Sequence, residues 1–309
     1  MKFLKPKANM INHWRYVRPR FRSALSNLAL TDAQIADGFG KSRGVAASLN
    51  RHYWDSSDGD ANKLIVGSWG KGTAIRPPTD IDQFCILPNE VFHDFNLRQG
   101  NVQSQLLQAV RNVLLGSYPQ TNMRGDGQVV VVSFNSVTIE VVPAFHAQGG
   151  GYLTCDTNNG GSWKQVFPIG EMEILSANDN NYGGNLRKLT KLLKRWKREC
   201  EVPIKSFHIE QLVRECLDQS TYSRQDEYYF DWLIRDVLAY MIGRVGQSFW
   251  MPGSNTLEMI QLGDAWQSKT ETAHRRAVKA CGYEYDNMEV SAGLEWQKLF
   301  GSVIPTSVD

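Results

Sequence analysis

Gly67-Ser68-Trp69-Gly70-Lys71-Gly72-Thr73-Ala74-Ile75-Arg76-Pro77-Pro78-Thr79-Asp80-Ile81-Asp82 joins a glycine-rich turn to two carboxylates at i and i+2, and the apolar run Phe84-Cys85-Ile86-Leu87 follows. Upstream, Leu64-Ile65-Val66 reads as the end of a buried strand, and Gly67 lets the backbone curl without a Cβ clash. A strand running into a glycine turn aims N–H groups at a phosphate. Ser68 adds a hydroxyl donor, and Lys71 and Arg76 add positive charge. Residues two apart in a strand point to one side, about 6 to 7 Å apart. Asp80 and Asp82 therefore present a carboxylate pair suited to Mg²⁺, which takes one or two carboxylates and completes its shell with water and phosphate oxygens. Without a cation the pair repels. In a purely structural arrangement the neighbouring Arg76 is the residue available to compensate it.

A third acid lies further on. Val129-Val130-Val131-Val132-Ser133-Phe134 and Val137-Thr138-Ile139-Glu140-Val141-Val142 are two β-branched runs joined through Asn135-Ser136, the pattern of a hairpin. The second run carries one charge, Glu140, in an apolar setting. Burying a lone carboxylate is costly unless it is paired, protonated or bound to a metal. Glu140 reads either as a metal-side acid beside Asp80 and Asp82, or as a solvent-facing or cation-paired residue on an edge strand. Three such acids allow a two-metal displacement with the ions roughly 3.5 to 4 Å apart. Asp80 and Asp82 hold both ions, Glu140 holds the second, an attacking ribose hydroxyl loses its proton through the metal or to Glu140, and pyrophosphate leaves.

Gly-Ser, Gly-Thr, Asp-Ile-Asp and a lone acid before Val-Val-Pro143-Ala144-Phe145 resemble the pattern of polymerase-β-like nucleotidyltransferases. Within them the chain is most similar to the bacterial cyclic-oligonucleotide synthases (CD-NTases), relatives of animal cyclic GMP-AMP synthase and oligoadenylate synthase. The likeness extends to Asn185-Leu186-Arg187-Lys188-Leu189-Thr190-Lys191-Leu192-Leu193-Lys194-Arg195-Trp196-Lys197 and to Lys205-Ser206-Phe207-His208-Ile209-Glu210, so that it covers residues from about 20 to about 300. It implies phosphate contacts from Gly67 and Ser68, and metal binding by Asp80, Asp82 and Glu140. It further implies that Lys194 and Ser206 reach the β- and γ-phosphates and that Phe207 stacks on the donor base. Many relatives carry Asp as the third acid, so the longer Glu140 leaves its role less fixed. No cysteine and histidine cluster matches the zinc ribbon of the animal synthase.

The implied fold is α/β (α+β): a polymerase-β-like nucleotidyltransferase core with a mixed sheet, then a C-terminal helical bundle, in a bilobal architecture like that of oligoadenylate synthase. Residues 1–165 are predicted to form an N-terminal helix and the catalytic core, and 166–309 the helical domain completing the nucleotide cleft. The residues agree with that division. Leu186, Leu189, Leu192, Leu193 and Trp196 repeat at helical spacing and are predicted core, with Lys188, Lys191, Arg195 and Arg198 on another side. Helices are predicted at 102–115, 185–200, 206–218, 226–242, 264–281 and 288–300. Gly38, Gly40 and Gly44 interrupt the helical pattern over 32–54 and leave its continuity open, Gly149 to Asn185 reads as loops, and Val303 to Asp309 as a flexible tail.

A chain of 309 residues fits two packed lobes. Its formal charge of +2 disfavours a basic coat for long nucleic acid, so nucleic acid is not required and nucleotides are the expected ligands. Five scattered cysteines support neither a disulfide framework nor a zinc site and point to the cytoplasm. No apolar run reaches membrane-spanning or signal-peptide length, and Met1 to Lys7 leads into none. The implied activity joins NTPs, ATP and a second NTP, into a cyclic di- or trinucleotide with two Mg²⁺ (or Mn²⁺) ions. The soluble product then acts on a downstream effector in antiphage defence. Two alternatives stay open: transfer to an RNA, protein or small-molecule acceptor, and a catalytically silent nucleotide or RNA sensor.

Overall fold

A computed structural model describes residues 13–253 and 258–308; the reading of Met1 to Lys7 falls outside them. In chain order the elements are α1 (Val17–Leu28), α2 (Asp32–Tyr53), β1 (Lys63–Ile65), α3 (Gly67–Gly70), β2 (Asp80–Ile86), α4 (Asn89–Asn96), α5 (Val102–Ser117), β3 (Asn122–Asp126), β4 (Val129–Ser133) and β5 (Thr138–His146). There follow β6 (Tyr152–Asp156), β7 (Ser162–Val166), α6 (Pro168–Asn181), α7 (Asn185–Glu199), α8 (Ser206–Gln219), α9 (Phe230–Gly243), β8 (Ser248–Trp250), β9 (Met259–Gln261), α10 (Gln267–Tyr285) and α11 (Glu289–Phe300). They form two compact units, one of Ala29–Asn180 with Phe249–Ile260, the other of α1, Asn181–Ser248 and the residues from Gln261 on.

The first unit is built on a seven-stranded mixed sheet whose path runs β1-β2-β5-β4-β3, with β6 and then β7 extending from β5. Only β2 and β5 pair in parallel. Strand alternation sorts the two faces. Ile81, Cys85, Met123, Val130, Val132, Ile139 and Val141 point to one side and pack with Val45 and Leu49 of α2 and Leu106, Leu107, Val110 and Leu114 of α5. The other side carries a smaller cluster of Val66, Phe84, Ile86, Val142, Ala144 and Tyr152. The acids lie on this second side.

Three expectations can be set beside the structure. The helix over 32–54 is continuous, started by a capping box in which Thr31 and Gln34 exchange hydrogen bonds. Two of its three glycines serve close packing: a Cβ at Gly38 would sit 2.5 Å from the Trp69 ring, and one at Gly44 would sit 2.6 Å from the Tyr118 hydroxyl. The stretch from Gly149 to Asn185 is a β6–β7 hairpin followed by α6, its glycines other than Gly170 of α6 lying in positive-φ turns at 149–151, 160–161 and 183–184. The units divide at Asn180–Asn181 where the sequence predicts 165/166. Two side chains of α6 explain this, since Met172 packs on the second-face cluster and Glu171 pairs with Lys71 at 3.3 Å.

The helical unit buries Leu186, Leu189, Leu192, Leu193 and Trp196 of α7, as their spacing predicts, together with Phe230, Leu233, Ile234 and Val237 of α9. Arg20 of α1, fully buried, pairs with Glu284 at 2.8 Å and donates to the carbonyls of Glu289, Pro305 and Thr306. The tail is thus anchored and not flexible through Val308. Ile304 is wholly buried, and the Val308 N–H donates to the Glu289 carboxylate. No described helix is long and apolar enough to cross a membrane.

Candidate active site

β1 delivers the chain to Val66, whose N–H donates to the Asp82 carbonyl at 2.9 Å, and α3 begins at once with Gly67. Gly67 has φ +55°, and a Cβ there would lie 1.7 Å from Asp82 Oδ2, so no other residue fits against this carboxylate. The Ser68 carbonyl accepts from the N–H groups of Thr73 and Ala74 at 2.8 and 2.9 Å, closing the turn back on itself. Helix geometry leaves the N–H groups of Gly67, Ser68 and Trp69 without intrahelical acceptors beside Asp82. Trp69 anchors the turn by packing edge-on against Phe39 of α2.

The register of the parallel pair sets Asp82 directly beside Glu140 and Asp80 beside Thr138. One carboxylate oxygen from each of Asp80, Asp82 and Glu140 lies within 4.8 Å of the others, and all three side chains are half-buried. Burial, and then the charges of Asp82 and Asp80, push the Glu140 carboxyl from 4.5 up to about 7, with Asp126 adding to the rise and Arg124 opposing it. A cluster whose own charges oppose ionisation fits a hard divalent cation: the donors are all oxygen, close together and partly open.

The predicted phosphate cations behave differently. Arg76 donates to the Ala29 carbonyl at 2.7 and 2.9 Å, which removes it as the compensating charge for Asp80 and Asp82. Lys71 is buried against Glu171, tying the turn to α6. In the helical unit, Lys194 stands half-buried on α7, and Ser206 and Phe207 open α8. Lys197, which sequence spacing did not single out, donates to Ser206 Oγ at 3.3 Å, so it shares the face of α7 that carries Lys194 one turn earlier. Two members of the predicted basic face are structural: Lys188 pairs with Glu227 at 2.7 Å, and Arg195 donates to the Phe300 carbonyl at 2.7 Å. A helical wheel cannot reveal those partners, because both lie far away in sequence.

Residues 16–180 match the SMODS domain, described as the Second Messenger Oligonucleotide or Dinucleotide Synthetase domain. The chain belongs to this family. It is a nucleotidyltransferase of the bacterial cGAS/DncV-like group, a cyclic-oligonucleotide synthase. A cyclic AMP-AMP-AMP synthase of Acinetobacter sp. (strain ATCC 27244 / 9458) is 23% identical over 259 residues, spanning 79% of this chain and 73% of that protein. The fold matches E. coli MS115-1 CdnC, solved in a CdnC:HORMA-deltaN complex, with TM-score 0.67 and 17% identity over 94% of this chain and 98% of that one. It also matches the GTP-bound form of Vibrio cholerae DncV, with TM-score 0.70 and 13% identity over 94% and 96% of the two chains. The SMODS match ends at residue 180, where the first unit's main segment ends.

Proposed function

We propose that this SMODS protein is a divalent-metal-dependent synthase that condenses NTPs, ATP and a second NTP, into a cyclic di- or trinucleotide with release of pyrophosphate. The convergence of Asp80, Asp82 and Glu140 oxygens within 4.8 Å carries this reading. The three carboxylates would hold Mg²⁺ or Mn²⁺. Such ions, when bound, neutralise triphosphate charge and ease deprotonation of the attacking ribose hydroxyl. The Gly67–Ser68 turn orients the donor phosphates through backbone N–H groups and the serine hydroxyl. Lys194 and Ser206 engage the β- and γ-phosphates, and Phe207 stacks on the donor base. Glu140 would hold an ion or, in its ionised form, take the hydroxyl proton directly. Structural relatives support nucleoside triphosphates as substrates: CdnC has been solved with ATP and DncV with GTP. We further assign the product to antiphage signalling, acting on a separate effector.

Purified protein incubated with all four NTPs and Mg²⁺ or Mn²⁺, then treated with phosphatase, should leave a species with the mass of a closed ring. Asp80→Asn with Asp82→Asn should abolish it while raising the thermal midpoint of the metal-free protein, because two mutually repelling charges are gone. Linear products from the native protein would instead favour transfer to another acceptor.

A further inference from the structure

Where the start of α9 meets the end of α10, the helical unit buries two carboxyls, Asp231 at 1% exposure and Glu284 at 0%. Cys281, one turn before Glu284 on α10, donates its Sγ–H to the Asp231 carbonyl at 3.4 Å and ties the two helix ends together. Arg20 of α1 donates through Nε to Glu284 Oε1 at 2.8 Å, and its other nitrogens serve the carbonyls of Glu289, Pro305 and Thr306. Trp296 donates to the same Oε1 at 3.1 Å. Glu284 Oε2 and Asp231 Oδ2 are both buried without a hydrogen-bond partner. Arg235, which also acts on Asp231, is committed to Asp236 at 2.7 Å, and Glu289 of α11 adds negative charge against Glu284. With both carboxyls ionised, one buried charge stays uncompensated, and a carboxyl so placed keeps its proton instead. Burial pushes the Asp231 carboxyl up to about 7, against the N–H groups of Trp232 and of Asp231 itself, and the Glu284 charge adds to the rise.

Residues 13–16, ahead of α1, form a strap across the same two helix ends. Trp14 donates its backbone N–H to the Glu284 carbonyl at 3.2 Å. Its ring meets Trp232, beside Asp231, and Tyr285, beside Glu284, edge-on at 5.3 and 4.9 Å. Half-buried His13 stacks on Tyr285 at 4.0 Å, and the Tyr228 hydroxyl donates to the His13 carbonyl at 3.3 Å. Trp14 has φ +57°, a left-handed conformation that a bulky residue keeps only where its surroundings hold it. Its indole Nε1 is buried and unpartnered as well. The strap thus rests on contacts made at the carboxyl pair, and a change of charge there bears on it directly.

We propose that Asp231 and Glu284 together hold one proton, and that its loss unlatches the Trp14 strap from the ends of α9 and α10. Protonated Asp231 supplies the donor that Glu284 Oε2 lacks; without the proton, two like charges share a single arginine. The site draws on none of Asp80, Asp82 and Glu140, so its test stands apart from the synthase reading. The full chain carrying Glu140→Gln, which silences the active-site carboxyl, is compared with the same chain carrying Asp231→Asn as well. At about pH 6 the first should show the infrared carbonyl stretch of a buried protonated carboxyl, fading by about pH 9, and the second should lack it. The unfolding constant of the first should rise more steeply between about pH 5 and pH 7, by up to about tenfold per pH unit for the one extra proton bound in the folded state. Hydrogen exchange at the Trp14 N–H, corrected for the intrinsic effect of pH, should quicken above about pH 8 only in the chain that keeps Asp231. Identical infrared spectra, or parallel unfolding curves, would overturn the proposal. Should Asp231→Asn fail to fold, the carboxyl band of the first chain decides alone: its absence at about pH 6, or its persistence at about pH 9, sinks the shared proton.

Discussion

Glu140 is the residue at which the site's electrostatics can be read in solution. Its carboxyl sits at about 7, above its ordinary 4.5, because burial and two neighbouring aspartates favour the protonated form. Between those values the folded chain binds more protons than the unfolded one, so stability falls as pH rises through the window. Metal-free protein should lose roughly 1 to 3 kcal/mol from this group between pH 5 and pH 8, allowing for solvent screening at a half-buried site. Buried Asp231 is also raised to about 7 and contributes with the same sign, so the comparison must be with Glu140→Gln. Denaturant midpoints across that range should slope less in the variant, and Mg²⁺ should stabilise the native protein more at pH 8 than at pH 5. Parallel slopes for the two proteins would show that the Glu140 charge is already neutralised without metal. The acids themselves were legible because i, i+2 spacing and a lone charge in a β-branched run are local signals. The edge strand Asn122–Asp126 was not, since a polar run containing Gly125 carries no apolar alternation.

At the scale of elements, α2 shows why glycine punctuation misleads. Its three mid-helix glycines look alike in sequence, yet two face side chains that need the room and Gly40 faces open space. Gly40→Ala should therefore stabilise the protein by about 0.5 to 1 kcal/mol through helix propensity. Gly38→Ala should destabilise it by about 1 to 3 kcal/mol, because the new methyl drives into the Trp69 ring that anchors the Gly67–Gly70 turn. Urea denaturation of both variants checks the pair, and a stabilised Gly38→Ala would mean that Trp69 has another seat. The β6–β7 hairpin was missed for a related reason: glycines at both of its ends dominate the composition of a segment whose strands are only five residues each. Strand type in β2, β4 and β5 and apolar spacing in α5 and α7 were legible because packing follows periodicity there.

Across the whole molecule, what sequence could not show is contact between residues distant along the chain. Arg20 joins α1 to Glu284 of α10 and to the tail carbonyls, all within the helical unit. Removing one member of a fully buried ion pair strands the other charge, so Arg20→Met should cost about 3 to 5 kcal/mol. Truncation before Ile304, a fully buried side chain, should cost about 2 to 5 kcal/mol. Thermal or denaturant unfolding measures both, and an unchanged midpoint after truncation would place the tail outside the folded unit.

The parallel pairing of β2 with β5 has a consequence in time. Asp82 and Glu140 become neighbours only after α4, α5, β3 and β4 have been laid down between them. Non-local strand pairing of this kind closes slowly, after local helices and hairpins. During synthesis a ribosome releases Asp80 and Asp82 long before their third partner. The nascent chain therefore carries a carboxylate pair alone, and the three-acid cluster assembles only once β5 has emerged and docked.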